Sequence, residues 1–175
     1  YTLRETLVPI TTHYHKDENT YTIDANISTA HGTEKIMQNL TDTPMKGKIK
    51  VVKSSDDAST QNSSNYTFAG IKYDLYRIAP NGNEFIETLE LNADGTAETS
   101  ELLFDSYMLV ENPSSSTKYY QIDNTPLTID IATENELTAN FSDHPQYTRI
   151  NLHKTSTDAD SLKNPYYTFE GIEYT

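Results

Sequence analysis

Two stretches of this chain, IKVVKSSDDASTQNSSNYTFAGIKY (49–73) and INLHKTSTDADSLKNPYYTFEGIEY (150–174), align without a gap. An internal repeat constrains the fold more than any local propensity, since each copy is one structural unit with the same core positions. Lys53 aligns with Lys154, Phe68 with Phe169 and Gly70 with Gly171. The segments before them, QNLTDTP (38–44) and ANFSDHP (139–145), agree in the same register, and YTLRET (1–6) resembles YMLVEN (107–112). This phase divides the chain into three parts. Residues 1–45 form the C-terminal part of a preceding repeat, 46–146 a complete repeat, and 147–175 the N-terminal part of a following one. The chain opens in mid-pattern, with no leader-like segment, and reads as an excerpt.

Within the complete repeat the runs KIKVVK, IKYDLYRI, EFIETLEL, YMLVE, YYQI, LTIDIA and LTANFS are short and rich in β-branched and aromatic residues. Turn-forming stretches separate them: Pro80-Asn81-Gly82-Asn83, Ala93-Asp94-Gly95 and Asn112-Pro113-Ser114. No segment keeps a helical period over three turns. Strands of this length and spacing predict an all-β, two-sheet sandwich. The polar stretch 54–65 reads as a solvated loop or crossover.

Strand parity then singles out three residues per repeat. Side chains alternate between the two faces of a strand, so Lys53 shares a face with Ile49 and Val51, and Lys154 with Ile150 and Leu152. Glu111 follows Tyr107 and Leu109 in the same way, as Glu5 follows Tyr1 and Leu3. Asp143 follows Ala139 and Phe141, and Asp42 follows Gln38 and Leu40. Each strand thus ends its core-facing side with an ionisable group. Parity alone also admits a plain reading, in which the lysine reaches water at the strand end and pairs with a carboxylate. If the three groups are buried together, burial favours their neutral forms, and a neutral amine is a nucleophile. A glutamic acid beside an aspartic acid could then move the protons while amine and aspartic acid condense to an amide with loss of water. Held in one fold, the partners would react at high effective concentration.

Several function classes are set aside by composition. The formal net charge of −13 opposes nucleic acid and anionic membrane as partners. No apolar run approaches the roughly 20 residues that span a bilayer. The absence of cysteine removes disulfides, zinc–thiolate sites and thiol nucleophiles. His13, His15 and His31 could supply metal ligands, but they lie in a polar connecting region without a supporting pattern, so no metal site and no cofactor is assigned. The loops SSDDAS and STDADS lack the glycine and bidentate glutamate of a helix–loop–helix calcium site. The five Asn-x-Ser/Thr matches are expected by chance in a chain this rich in those residues. No constellation for a turnover enzyme is visible; the one chemistry the sequence supports is a single self-crosslinking.

The pattern resembles the B-type (SpaA-like) repeats of the collagen adhesins, modules of Gram-positive surface proteins and pilins. IKVVK and INLHK are similar to the family's first strand, I-x-apolar-x-K. AGIKYDLY (69–76) resembles its G-A-x-[FY]-x-L-Y, and Asp94-Gly95 stands where a D-G turn precedes Y-x-L-x-E, matched by YMLVE (107–111) and by YTLRE (1–5). DTPMKGKIKVVK (42–53) and DHPQYTRINLHK (143–154) resemble the family's final strand and its spacing to the next lysine. The resemblance implies an immunoglobulin-like, transthyretin-type Greek-key sandwich in tandem repeat, on the cell-wall-anchored surface of a Gram-positive bacterium. It also implies an intramolecular isopeptide bond. Carried over, Lys53 is the amine, Glu111 the catalytic acid and Asp143 the acceptor, with Asn140 as the alternative acceptor. Glu5, Asp42 and Lys154 are the equivalents in the flanking repeats.

Two functions follow. One is a stalk spacer whose partners are the neighbouring repeats, with a host protein or glycan met at a distal tip. The other is a binding module that grips such a ligand directly through tyrosines at KYY (118–120) or NPYY (164–167). A contiguous exposed aromatic face would favour the second. The partial repeats at the two ends are expected to be disordered alone or to pair between chains.

Overall fold

The computed structural model describes residues 1–24, 38–114 and 119–175. Among these residues lie ten strands, in chain order β1 (Thr2–Arg4), β2 (Thr20–Thr22), β3 (Lys46–Ser55), β4 (Lys72–Arg77), β5 (Glu84–Glu90), β6 (Thr96–Glu98), β7 (Leu102–Leu103), β8 (Ser106–Glu111), β9 (Leu127–Asp130) and β10 (Glu136–Asp143). The described helical pieces are 3-10 turns of three to five residues, and no helix among the described residues is long and apolar enough to cross a membrane.

Strands β3 to β10 make a two-sheet sandwich. One sheet runs β10-β3-β6, with β7 pairing the first residues of β3; the other runs β5-β4-β8-β9. All pairings are antiparallel except that of β3 with β10, the first and last strands of the unit, which is parallel with Ile49 opposite Leu137, Val51 opposite Ala139 and Lys53 opposite Phe141. Alternation along each strand supplies the core. Ile49 and Val51 from β3 and Ala139 from β10 meet Tyr73 and Leu75 from β4 and Tyr107 and Leu109 from β8, all at most 3% exposed. Side chains of this type stabilise by about 1.5–3 kcal/mol each when fully buried.

Two readings of the local sequence are corrected. YYQI is no strand: Tyr120 makes only an isolated bridge to Pro145, flanked by Gln121 N–H to His144 O (2.9 Å) and Gln146 N–H to Tyr119 O (2.7 Å). Pro145 has no N–H to continue a ladder. Residues 54–65 are not wholly loop, since β3 runs through Ser55 and a 3-10 turn spans Ala58–Asn62, started by the Asp57 carboxylate accepting from Ser59 N–H. Strands β6 and β7 were absent from the sequence reading; their Thr-Ala-Glu and Leu-Leu runs are too short for a period to register.

The segments outside the sandwich reproduce parts of it. β1 and β2 pair Thr2 with Thr22 and Leu3 with Tyr21, as β8 and β9 pair Met108 with Thr128 and Leu109 with Leu127. Tyr14 bridges Pro44 as Tyr120 bridges Pro145. Residues 147–175 form turns rather than strands, yet Ile172 N–H bonds Phe169 O as Ile71 N–H bonds Phe68 O. Gly171 (φ 78°) and Gly70 (φ 85°) share the left-handed conformation that a glycine tolerates without strain.

Candidate functional site

The downstream end of the core is polar. Lys53 from β3, Glu111 from β8 and Asp143 from β10 are each at most 2% exposed, and they converge from both sheets. Lys53 Nζ donates to Glu111 Oε2 at 2.9 Å and to the Tyr73 hydroxyl at 2.7 Å. It also lies 2.8 Å from Asp143 Oδ2. That last approach has ion-pair distance without hydrogen-bond alignment, so both Asp143 oxygens and Glu111 Oε1 are buried with no hydrogen-bond partner among the described residues. Orphaned buried oxygens are uncommon and costly. Asp123 N–H makes a long contact of 3.4 Å to Glu111 Oε2.

One amine facing two carboxyls cannot neutralise both. Burial pushes the Glu111 carboxyl up from its ordinary value; the Lys53 hydrogen bond and charge oppose this, and the Asp143 charge adds to it. Burial likewise raises Asp143, against the pull of Lys53 and with help from Asp123 and Asp56. Burial, then the Glu111 and Asp143 charges, raises Tyr73 so far that its hydroxyl stays protonated. Burial thus shifts both carboxyls toward the acid form, the form that condenses with an amine.

Local backbone holds the amine in place. Lys53 N–H bonds Gly95 O at 2.8 Å, at the turn before β6, and Gly95 has φ 81°. A Cβ at Gly95 would stand 2.5 Å from Lys53 O and 2.9 Å from Phe68 Cδ2. Gly95→Ala is expected to cost about 2 kcal/mol or more from the left-handed backbone and this clash. A urea titration reads it, and a variant as stable as the parent would refute the close approach.

The other singled-out residues lie elsewhere. Asn140 is exposed on β10, opposite Val52. In the first segment Glu5 is half-buried and accepts from Asp17 N–H at 2.6 Å, which mirrors the Glu111–Asp123 contact, and Asp42 is exposed. Leu3, Glu5, Asp17, Tyr21, Leu40 and Asp42 border one cleft. Lys154 is exposed, with Nζ 5.7 Å from the Tyr174 ring centre; the Lys53–Tyr73 distance is 5.1 Å. Tyr73 is the site residue that sequence reasoning missed. Its signal was there, in the GI-x-Y shared by both copies.

His13 packs on Phe104 (5.4 Å between ring centres) and His15 Nε2 lies 2.7 Å from Glu134 Oε1; His31 lies outside the described residues. Among the described residues no group of three His, Asp or Glu could hold a metal ion. Of KYY, Lys118 is outside the described residues, Tyr119 is half-buried and Tyr120 is a core residue stacked on Phe68 at 4.9 Å. In NPYY, Tyr166 and Tyr167 are 92% and 68% exposed.

The family model described as SpaA, prealbumin-like fold domain, matches residues 47–145. No curated protein matches the chain. Among solved structures, the Bacillus anthracis TIE protein superposes with a TM-score of 0.59 at 18% identity, over 82% of this chain and 24% of that one. A minor pilin of Streptococcus agalactiae gives 0.45 at 19% identity, over 65% and 52%. The major pilin subunit of Bacillus cereus gives 0.42 at 16% identity, over 59% and 31%. The chain thus spans less than two thirds of each of these proteins. At such identity the likeness is one of fold.

Proposed function

From a chain that belongs to the SpaA family of prealbumin-like fold domains, we propose a structural stalk repeat of a Gram-positive surface protein, closed by its own Lys53–Asp143 amide. The single observation that carries this reading is the fully buried amine 2.8 Å from a carboxyl oxygen that has no hydrogen bond to keep it. In the proposed reaction Lys53 Nζ, as the neutral amine, attacks Asp143 Cγ. Glu111, as the acid, gives its proton to the departing Asp143 hydroxyl and takes one from the attacking nitrogen in exchange. One C–N bond forms, one C–O bond breaks, and water leaves. The reaction occurs once per molecule, so it is a maturation step rather than turnover. It replaces a buried amine and a buried acid by a neutral amide, relieving the desolvation cost of the cluster.

The paired ladders and the paired Glu5–Asp17 and Glu111–Asp123 contacts support reading 1–45 and 46–146 as successive repeats. The turns common to 58–71 and 161–172 support a third repeat beginning at 147. On this reading Ile150, Leu152, Ile172 and Tyr174 are exposed as the aligned equivalents of the core residues Ile49, Val51, Ile71 and Tyr73. They are core positions of a repeat and not a ligand face, which favours the spacer over the binding module. Neighbouring repeats are then the partners, and the location is the bacterial exterior.

The intact mass of the purified chain, measured under denaturing conditions, tests the clamp. The expected value is one water below the sequence mass. Asp143→Asn is expected to change the loss from water to ammonia while keeping the crosslink. A parent chain that loses ammonia would instead make an asparagine the acceptor, Asn140 first. A parent chain at full mass would leave Lys53 in an ion pair and remove the clamp from the stalk reading.

A further inference from the structure

Three groups surround Lys53 Nζ, and one of them is neither acid nor acceptor. The Tyr73 hydroxyl sits 2.7 Å from Nζ and carries no charge, and the residue is fully buried. Its ring packs on Phe141, 4.4 Å between centres, and Phe141 is the residue paired with Lys53 across the parallel ladder. Ring and amine are thereby fixed to the same two strands that carry the reacting groups.

A neutral primary amine has two N–H donors and one lone pair. Tyr73 O and Glu111 Oε2 occupy two directions about Nζ at donor distances, whereas Asp143 is close without being hydrogen-bonded. With both N–H groups held, the lone pair has only the Asp143 direction left. We propose that Tyr73 is a positioning residue: its hydroxyl holds one N–H of Lys53 so that the nitrogen lone pair faces Asp143. Without that acceptor the amine turns an N–H toward an Asp143 oxygen, and its lone pair no longer faces the carboxyl. This inference rests on the Lys53–Asp143 amide proposed above. The bond changes are those already given; Tyr73 gains and loses no proton.

A second observation points the same way. Lys154 lies over the Tyr174 ring as Lys53 lies over Tyr73, although residues 147–175 contain no strand and no carboxyl partner for that lysine is recorded among the described residues. The lysine–tyrosine pair is thus made within one 25-residue stretch, independently of the strands that bring Glu111 and Asp143.

The test starts from chains recovered unfolded and still at full sequence mass from inclusion bodies, and follows the rate of water loss by intact mass as they fold out of denaturant, for the parent chain, Tyr73→Phe and Phe141→Leu. Sucrose is present throughout to favour the folded state, and rates are taken per folded molecule from near-UV circular dichroism. Tyr73→Phe keeps the ring and removes the hydroxyl; Phe141→Leu loosens the ring stack and keeps the hydroxyl. Loss of one positioning hydrogen bond predicts a rate about tenfold lower for Tyr73→Phe, with Phe141→Leu within about twofold of the parent although less stable. Equal rates for Tyr73→Phe and the parent overturn the inference and leave the amide standing. Equal slowing in both variants overturns it in favour of general packing. A Tyr73→Phe chain that does not fold even in sucrose overturns it as well, because the hydroxyl would then be a requirement of folding. A parent chain that never loses water overturns the amide itself, and the role of Tyr73 with it.

Discussion

A Lys53→Met chain is expected to be about 3–5 kcal/mol less stable at pH 7 than an Asp143→Ala chain, although neither can form the amide. The comparison isolates the buried charges from the crosslink. Asp143→Ala leaves Lys53 with Glu111, a matched pair at 2.9 Å with the Tyr73 hydroxyl as a third partner. Lys53→Met preserves the apolar volume and leaves Glu111 and Asp143 buried without the cation that holds their carboxyl pKa values down. Linkage gives the sign of the pH dependence. Both carboxyls have raised values in the folded chain, so the folded state binds protons more tightly than the unfolded one. The stability they contribute is full below their ordinary values and is lost as pH rises through the raised ones. The gap between the two variants should therefore be small near pH 3 and open as the pH is taken to 7. Urea titrations at several pH values read this directly. A gap independent of pH would mean that the cost of Lys53→Met comes from packing and not from charge.

The second large effect belongs to the crosslink. An amide from Lys53 to Asp143 closes a loop of roughly 90 residues, and by the chain-entropy argument used for disulfides it should stabilise by about 4–5 kcal/mol relative to an open chain. Wild-type protein that has lost water is expected to exceed Asp143→Ala by at least that amount in a denaturant titration, because Asp143→Ala also breaks the ion pair. Asp143→Asn should retain the gain, since it reaches the same amide by losing ammonia. If Asp143→Asn crosslinks and is no more stable than Asp143→Ala, the bond is made without clamping the fold.

The all-β sandwich was legible because its strands alternate. I-x-V-x-K, Y-x-L-x-E and A-x-F-x-D each placed an ionisable residue on the face of two apolar ones, and the structure buries all three residues of each run or half-buries the aromatic one. What alternation could not give was the neighbourhood. Nothing local says that β3 pairs β10 in parallel rather than lying at an edge, for that pairing depends on residues some ninety positions apart. Tyr73 was passed over for a related reason. Its parity made it a core residue, which it is, and a phenol on a core face announces no polar partner until the opposite strand is in place. The YYQI run shows the reverse error, where β propensity was present but Pro145 on the partner segment had no hydrogen to offer. Residues 150–154 carry the first-strand pattern and form no strand, since a strand needs a neighbour to bond with.

The parallel register of β3 with β10 has a mechanical consequence. The sandwich is entered at Lys46 and left at Asp143, and parallel pairing puts those two positions at opposite ends of the same ladder. Tension along the chain therefore slides one strand past the other and loads the rungs in shear, all together, instead of peeling them apart one at a time. On the proposed stalk reading it also makes the sandwich a ruler. The ten residues of β3 span about 33 Å at the usual rise, so each copy would extend a filament by roughly its full length. A bond between Lys53 and Asp143 would route the pull along 46–53 and straight out at 143, leaving residues 54–142 slack.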